Sequence, residues 1–354
     1  MALYGTISPD NTLGFRNRII NGDMRIDQRN AGASVNTNSA TNPYVVDRWR
    51  IVESPGSNGY KGERSTTAPS GFTNSFLTTA LTATSFSGTD YHALRQPIEG
   101  FNCADLMWGT ASASTITLSF WIRSSLTGTF GGAIGNQNGS RSYPFTYTVS
   151  SSNTWEYKTI TIAGDTTGTW NTNNEGSINV WFSLGAGSDR KGTAGAWNAN
   201  FNTSATGAVD INATSGATFY ITGVQLEAGS VATPFERRPY GTELTLCQRY
   251  YELMNIGRIK CVYYAATAFE TSNVPYSVTK RASPTMSVTA GTMKWVVPGI
   301  NIYNSITNSG ISFTTTTSSF HITQSRTPDG SAPVAGDSYT NEDGAVTVGA
   351  SAEL

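Results

Sequence analysis

The stretch Thr115-Ile116-Thr117-Leu118-Ser119-Phe120-Trp121-Ile122-Arg123 alternates strictly between apolar and polar or amphipathic side chains. Successive residues of an extended chain point to opposite faces, so Ile116, Leu118, Phe120 and Ile122 share one face and the Thr and Ser residues take the other. Such a period of two marks a strand with one buried face. The pattern recurs at Tyr143, Phe145, Tyr147 and Val149, at Ile160 and Ile162, at Ile178, Val180, Phe182 and Leu184, and at Phe219 and Ile221. Loops rich in Gly, Asn and Ser, such as residues 135–139 and 171–176, separate these runs. Many short strands with turn-rich links predict an all-β sandwich or jelly roll over residues 17–240.

The 354 residues are only 13% charged, against about 25% in typical soluble proteins, and Ser, Thr, Asn and Gly take the missing share. A wet outer surface of uncharged polar side chains over an aromatic interior follows, with 16 Tyr, 15 Phe and 8 Trp to fill it. Lys and Arg number 23 against 24 Asp and Glu. This balance, without runs of either sign, speaks against nucleic acid as a ligand and against anionic membranes. Cys103, Cys247 and Cys261 lie far apart and form no CxxC pair, so neither a disulfide framework nor a thiolate metal site is expected. The N-terminal sequence lacks the basic segment and apolar core of a secretory signal, and no run approaches about 20 apolar residues. The expected product is made in the cytoplasm, stays soluble and is not inserted in a membrane.

From Thr242 to Asn255 the spacing changes. Leu244, Cys247 and Tyr251, with Leu246, Tyr250 and Leu253 beside them, recur every three to four residues and predict one amphipathic helix linking two β domains. Beyond Gly257 the chain returns to strands at Val274 to Val278, Trp295 to Val297, Ile300, Ile302, Phe313, Phe320 and Ile322, a smaller C-terminal β-sandwich within residues 241–354. The last thirty residues are expected to form loops and an edge strand at Val346 to Val348. Residues 1–16 mix Gly, Pro and Asn with scattered apolar positions and cannot build a core alone.

Candidate chemistry is sparse. Glycosidases need two carboxylates about 5–9.5 Å apart, and the closest acidic groupings here are Asp23 with Asp27, Glu236 beside arginines, and Glu342 with Asp343. The two histidines, His92 and His321, sit in strand patterns and near no GxSxG elbow. No enzyme and no catalytic residue is therefore assigned, and no cofactor or metal is required, although a structural calcium on Asp and carbonyl oxygens stays open. Tryptophans are the better lead, because an indole face stacks on the C–H face of a sugar ring. Trp49, Trp121, Trp155 and Trp181 lie within strand patterns and are read as core or sheet-face packing. Trp108, Trp170 and Trp197 fall in Gly-rich or polar stretches, and are expected on solvent-facing loops that contact a glycan or a neighbouring subunit.

The run Asn17-Arg18-Ile19-Ile20-Asn21-Gly22-Asp23-Met24-Arg25-Ile26-Asp27-Gln28-Arg29, followed by Val46-Asp47-Arg48-Trp49, resembles the opening of a family of bacteriophage tail-fibre and tail-associated proteins. Phe219 to Gly229, then Ala232 to Pro239, then Cys247-Gln248-Arg249-Tyr250-Tyr251 and the terminal Ala350 to Leu354, are similar to that family's later blocks. The resemblance implies a carbohydrate-binding-module-like jelly roll on a virion part, often a homotrimer: a tail-fibre or appendage subunit that grips a host cell-surface glycan and contacts other virion proteins. Residues 1–16 would then serve virion attachment or oligomerisation. A purely structural adaptor, tail-tip or head-decoration protein, and a tail-borne polysaccharide hydrolase, are the rival readings. Arg18, Arg25, Arg29 and Arg48 stand close in sequence to Asp23, Asp27 and Asp47, and are expected to form partly buried ion pairs beside Trp49. Gln225 and Glu227 are expected to cross-link to those arginines.

Overall fold

The computed structural model describes residues 15–37, 42–55, 59–256, 260–265, 268–290, 293–297, 300–306, 311–325, 338–341 and 346–354. Most of the segment 1–16, Gly257, and the pair Glu342 and Asp343 lie outside the described residues, as do the side chains of Cys261, Trp295, Ile300 and Ile302. The chain divides into two compact units, residues 1–239 and 240–354. It is built mostly of β-sheets, with one α-helix among the described residues.

The first unit is a two-sheet sandwich. Its strands are β1 (Val35–Asn36), β2 (Tyr44–Val46), β3 (Trp49–Ser54), β4 (Tyr60–Ser65), β5 (Ser75–Ala80), β6 (Tyr91–Glu99), β7 (Ile116–Ser124), β8 (Gly128–Asn136), β9 (Ser142–Val149), β10 (Glu156–Ile162), β11 (Gly176–Ala186), β12 (Lys191–Gly192), β13 (Ser204–Ala205) and β14 (Thr218–Ala228). One sheet runs β1-β4-β5-β14-β7-β10 and the other β2-β3-β6-β11-β8-β9. All their pairings are antiparallel, as hairpin-rich sandwiches require. The sequence alternation is the reason for this packing. Ile116, Leu118, Phe120 and Ile122 of β7 face Ile178, Val180, Phe182 and Leu184 of β11 across a single core, all essentially inaccessible. β11 is buried along its whole length, because its outer face is also covered.

The segment carrying the arginine and aspartate signature is not a regular strand. Residues 17–24 run beside the end of β14, where the Arg18 amide donates to the Leu226 carbonyl and the Val224 amide to that of Gly22. Gly22 is required by this close approach, since a Cβ there would lie 2.2 Å from the Val224 oxygen.

The predicted helix over 242–255 is shorter than its periodicity suggests. A helix, α1, spans Tyr240–Gln248, and Tyr251–Ile256 is a strand paired with Val346–Ser351. Short apolar runs fit either period, and here the ladder to a distant partner decides. Val346–Ser351 is no edge either: Thr285–Ala290 pairs on its other side. A second sheet of the unit carries eight strands among the described residues, including Ser319–Ser325 between its partners Ala268–Thr271 and Ile311–Thr315. Ile256, Tyr276, Phe320, Ile322, Val346, Val348 and Ala350 form the unit's apolar core.

Candidate functional site

The three tryptophans expected on exposed loops are instead packed together at one end of the sandwich core. Trp108 is 7% exposed and Trp170 9%, and Trp197 is half-buried against them. Their ring centroids lie 4.7, 5.3 and 5.5 Å apart, each pair edge-to-face. Every indole N–H is spent on a backbone carbonyl: Trp108 on Ser114, Trp170 on Thr167 and Trp197 on Ala163. The loop carrying Trp170 is clamped by Arg141, whose guanidinium makes a fork to Asp165 with both bonds at 2.7 Å. Burial would raise the Asp165 pKa, but Arg141 and the Thr167 donors outweigh it and hold the carboxyl below the usual range. Trp108 and Trp170 line a cavity of about 290 Å³.

The signature residues form a second buried network. Arg25 pairs with Asp23 at 2.5 Å and Arg29 with Asp47 at 3.7 Å. Asp27 accepts from the Asn30 and Gly32 amides. Arg48 donates to the Pro97 carbonyl and the Trp49 indole to that of Asn21. Arg18 reaches Asp105 rather than a sequence neighbour. Gln225 and Glu227 do not cross-link to Arg18, Arg25, Arg29 or Arg48. They project from the outer side of β14, where the returning chain supplies nearer partners: Gln225 donates to Glu227, and Glu227 accepts from the Thr233 amide and hydroxyl, with Arg16 at 3.8 Å. These groups are consumed in holding the fold.

Of the histidines, His321 lies 3.2 Å from the exposed Glu270. His92 is buried, its Nδ1 accepts from the Asn212 side-chain amide at 3.0 Å, and it lies 3.6 Å from Glu53 between the rings of Tyr60 and Phe86. Burial lowers its pKa to about 4 despite Glu53 and Asp90. A histidine that resists protonation when folded but titrates near 6.5 when unfolded costs nothing above pH 6.5, and costs progressively more stability down to about pH 4. The loss should reach about 3 kcal/mol at 1.36 kcal/mol per unit. Denaturant midpoints at pH 7.5 and 4.5 should separate by less in His92→Gln than in the unmodified chain; an equal separation would place the acid sensitivity elsewhere. Among the described residues no group of three or more His, Cys, Asp or Glu side chains is placed to hold a metal. None of the described helices is long and apolar enough to cross a membrane.

Open aromatic surface lies elsewhere, on the outward side of β7, β10 and β14. Because Phe120 and Ile122 point inward, Trp121 points out, directly opposite Tyr157 of β10 and Thr222 of β14. The Trp121 and Tyr157 rings lie 5.4 Å apart, and Tyr157 is 43% exposed. One step along, Tyr220 pairs with Arg123, whose guanidinium covers its ring at 4.8 Å, and Trp155 meets the same ring edge-on at 6.1 Å. A bulge in β14 follows Thr222, with Gly223 at φ +61°. A Cβ at Gly223 would lie 2.7 Å from the Phe72 ring and 3.2 Å from that of Trp121, so glycine permits both the backbone turn and the approach of the rings. Phe72 and Phe235 pack edge-to-face at 5.2 Å and close the far wall. The resulting groove measures about 610 Å³.

The outer face of the other sheet also carries aromatics, but they are roofed. Tyr91, Trp181 and Phe201 lie within 6.0 Å of one another, Trp181 is 4% exposed, and Arg95 is tied to Asn179 and Gln137. Their cavity is about 260 Å³. Small-ligand sites usually hold about 300–1,000 Å³, so size and the exposure of Tyr157 single out the Trp121 groove. The sequence pattern marked Trp121 only as packing and did not single out Tyr157, Phe72, Phe235 or Arg237. The parity of Trp121 was the available signal.

No protein-family model and no curated protein matches the sequence. The fold is similar to the tailspike protein 4 enzymatically active domain of bacteriophage CBA120, at 11% identity and TM-score 0.34, over 60% of this chain and 22% of that one. It is also similar to a family 4 carbohydrate-binding module (15%, 0.31, 59% and 98%) and to the C-terminal family 22 module of Clostridium thermocellum Xyn10B (13%, 0.30, 58% and 99%).

Proposed function

We propose that the chain is a non-catalytic glycan-binding protein and that the groove walled by Trp121, Tyr157, Phe72 and Phe235 is its binding site. The observation that carries this is the pair of opposed, partly open rings of Trp121 and Tyr157 on an otherwise Ser- and Thr-rich sheet face. Ring faces take the C–H side of a sugar, and a hydroxyl such as that of Ser119 can meet its oxygens. Trp108, Trp170 and Trp197 have a supporting role in this reading. The resemblance of residues 17–49 and 219–251 to bacteriophage tail-fibre proteins supports a place on a phage tail, as a homotrimeric subunit attached to other virion proteins. The signature acids are committed to amides and arginines, which supports binding without hydrolysis.

A glycan array with the purified chain, followed by calorimetry and a reducing-end release assay on each glycan bound, tests the reading. Binding without release is expected, and Trp121→Ala should weaken it about thirtyfold, the cost of losing a central aromatic anchor of about 2 kcal/mol. If Trp121→Ala left binding intact, the groove would be the wrong site. If no glycan bound and the variant instead lowered the mass of the assembly in light scattering, the groove would be a subunit interface.

A further inference from the structure

We infer that the groove selects a saccharide bearing a carboxylate, which pairs with Arg237 at its rim; this rests on the reading of the groove as a glycan site. Arg237 is exposed, and its guanidinium stacks 4.6 Å from the Phe72 centroid and 5.7 Å from that of Phe235. The stacking holds the planar group against two rings while its N–H edge stays unused. Among the described residues no carboxylate lies within 4.0 Å of it, in contrast to Arg16, Arg18, Arg25, Arg29, Arg64 and Arg141. No acidic side chain among the described residues lines the groove.

The two carboxylates of the first unit nearest in sequence are already committed. Glu236 accepts from the Phe15 and Asn17 amides and from Arg238, and Glu227 from Thr233. The adjacent Arg238 shows what a structural arginine looks like here: it is buried and donates to the Ile19 and Asn17 carbonyls. Among the described residues Arg237 has only ring contacts, so its charge is left for a ligand. A guanidinium offers parallel N–H donors whose spacing matches a carboxylate, and a fork of this kind binds with direction as well as charge. A uronic-acid residue carries its carboxylate at the edge of a ring whose C–H face can rest on Trp121 and Tyr157. One ligand then uses both the stacking floor and the charged rim.

The test is a panel of capsular and lipopolysaccharide oligosaccharides in which each uronic-acid-bearing member is paired with its carboxyl-reduced form, and each sulfated member with its desulfated form. The chain should bind the carboxylate form at least about tenfold more tightly than the reduced form. Arg237→Gln should erase that preference with little change in melting temperature, since among the described residues the side chain makes ring contacts and no hydrogen bond. Raising NaCl from about 0.05 to about 0.5 M should weaken the unmodified chain and not the variant. Equal binding to both forms of a pair, or a preference that survives Arg237→Gln, overturns the inference, and a preference confined to sulfated members does so too. Trp121→Ala separates the two levels. If it removes binding to reduced and unreduced forms alike, the groove stands whatever Arg237 does; if it removes neither, the groove is the wrong site and the inference falls with it.

Discussion

Trp170→Ala should lower the stability of the first unit by about 3–5 kcal/mol, the range for emptying a buried indole site. Trp170 packs against Trp108 and Trp197 and is part of the core that includes Ile116, Leu118 and Ile178. Truncation would leave a void between two indoles that meet Trp170 edge-on, and would strip the Thr167 carbonyl of its donor. The clamp of Arg141 on Asp165 fixes the same loop, so the surroundings have little freedom to collapse inward. Trp108→Ala should behave alike. Trp121→Ala, half-open on a sheet face, should cost about 1 kcal/mol or less while weakening glycan binding about thirtyfold. Melting and calorimetry on the three variants read both effects. A Trp170→Ala chain that melted normally and no longer bound glycan would exchange the roles of the two clusters.

That division is the reverse of what position in the sequence suggests, and the reason is physical. Alternation is a local property, so the inward faces of β7 and β11 could be read residue by residue. The same parity puts Trp121, between Phe120 and Ile122, and Trp181, between Val180 and Phe182, on outer faces, although within their strand patterns both read equally as core or sheet-face packing. It could not say which outer face is roofed. Phe201, twenty residues beyond Trp181, comes back over it, while Trp121 keeps an open groove beside it. Trp108, Trp170 and Trp197 looked exposed because their neighbours are Gly, Thr and Asn. Three connections converge at one end of the sandwich, and the indoles fill the gap the small residues leave. Arg18 likewise has aspartates close in sequence, yet its partner Asp105 is 87 residues away. Long-range pairing of this kind has no signature in spacing.

Lys280→Met should destabilise the second unit by about 3–5 kcal/mol, because it leaves a buried carboxylate without its cation. The Lys280 side chain is fully enclosed, and its ammonium lies 2.5 Å from Glu252 and 2.6 Å from the Gln248 carbonyl. Glu252 is held from its other side by the amide and hydroxyl of Ser277. Burial pulls the Lys280 pKa below its ordinary value even with Glu252 opposing the shift, so the pair is kept in its site by mutual contact together with Gln248 and Ser277. Read as the end of a helix over 242–255, Glu252 would belong to a solvated polar face. In the strand Tyr251–Ile256 it is buried, and the lysine is its necessary companion. The double variant Lys280→Met with Glu252→Gln removes both charges and keeps an oxygen for Ser277, and should recover most of the loss. Hydrogen exchange of the amides from Tyr251 to Ile256 in the full chain measures it: a hundredfold or greater acceleration, on the order of 3 kcal/mol, is expected for the single variant. The double variant should return close to the unmodified rate. Additive effects of the two substitutions would mean that the charges do not depend on one another, and the buried pair would lose its structural role.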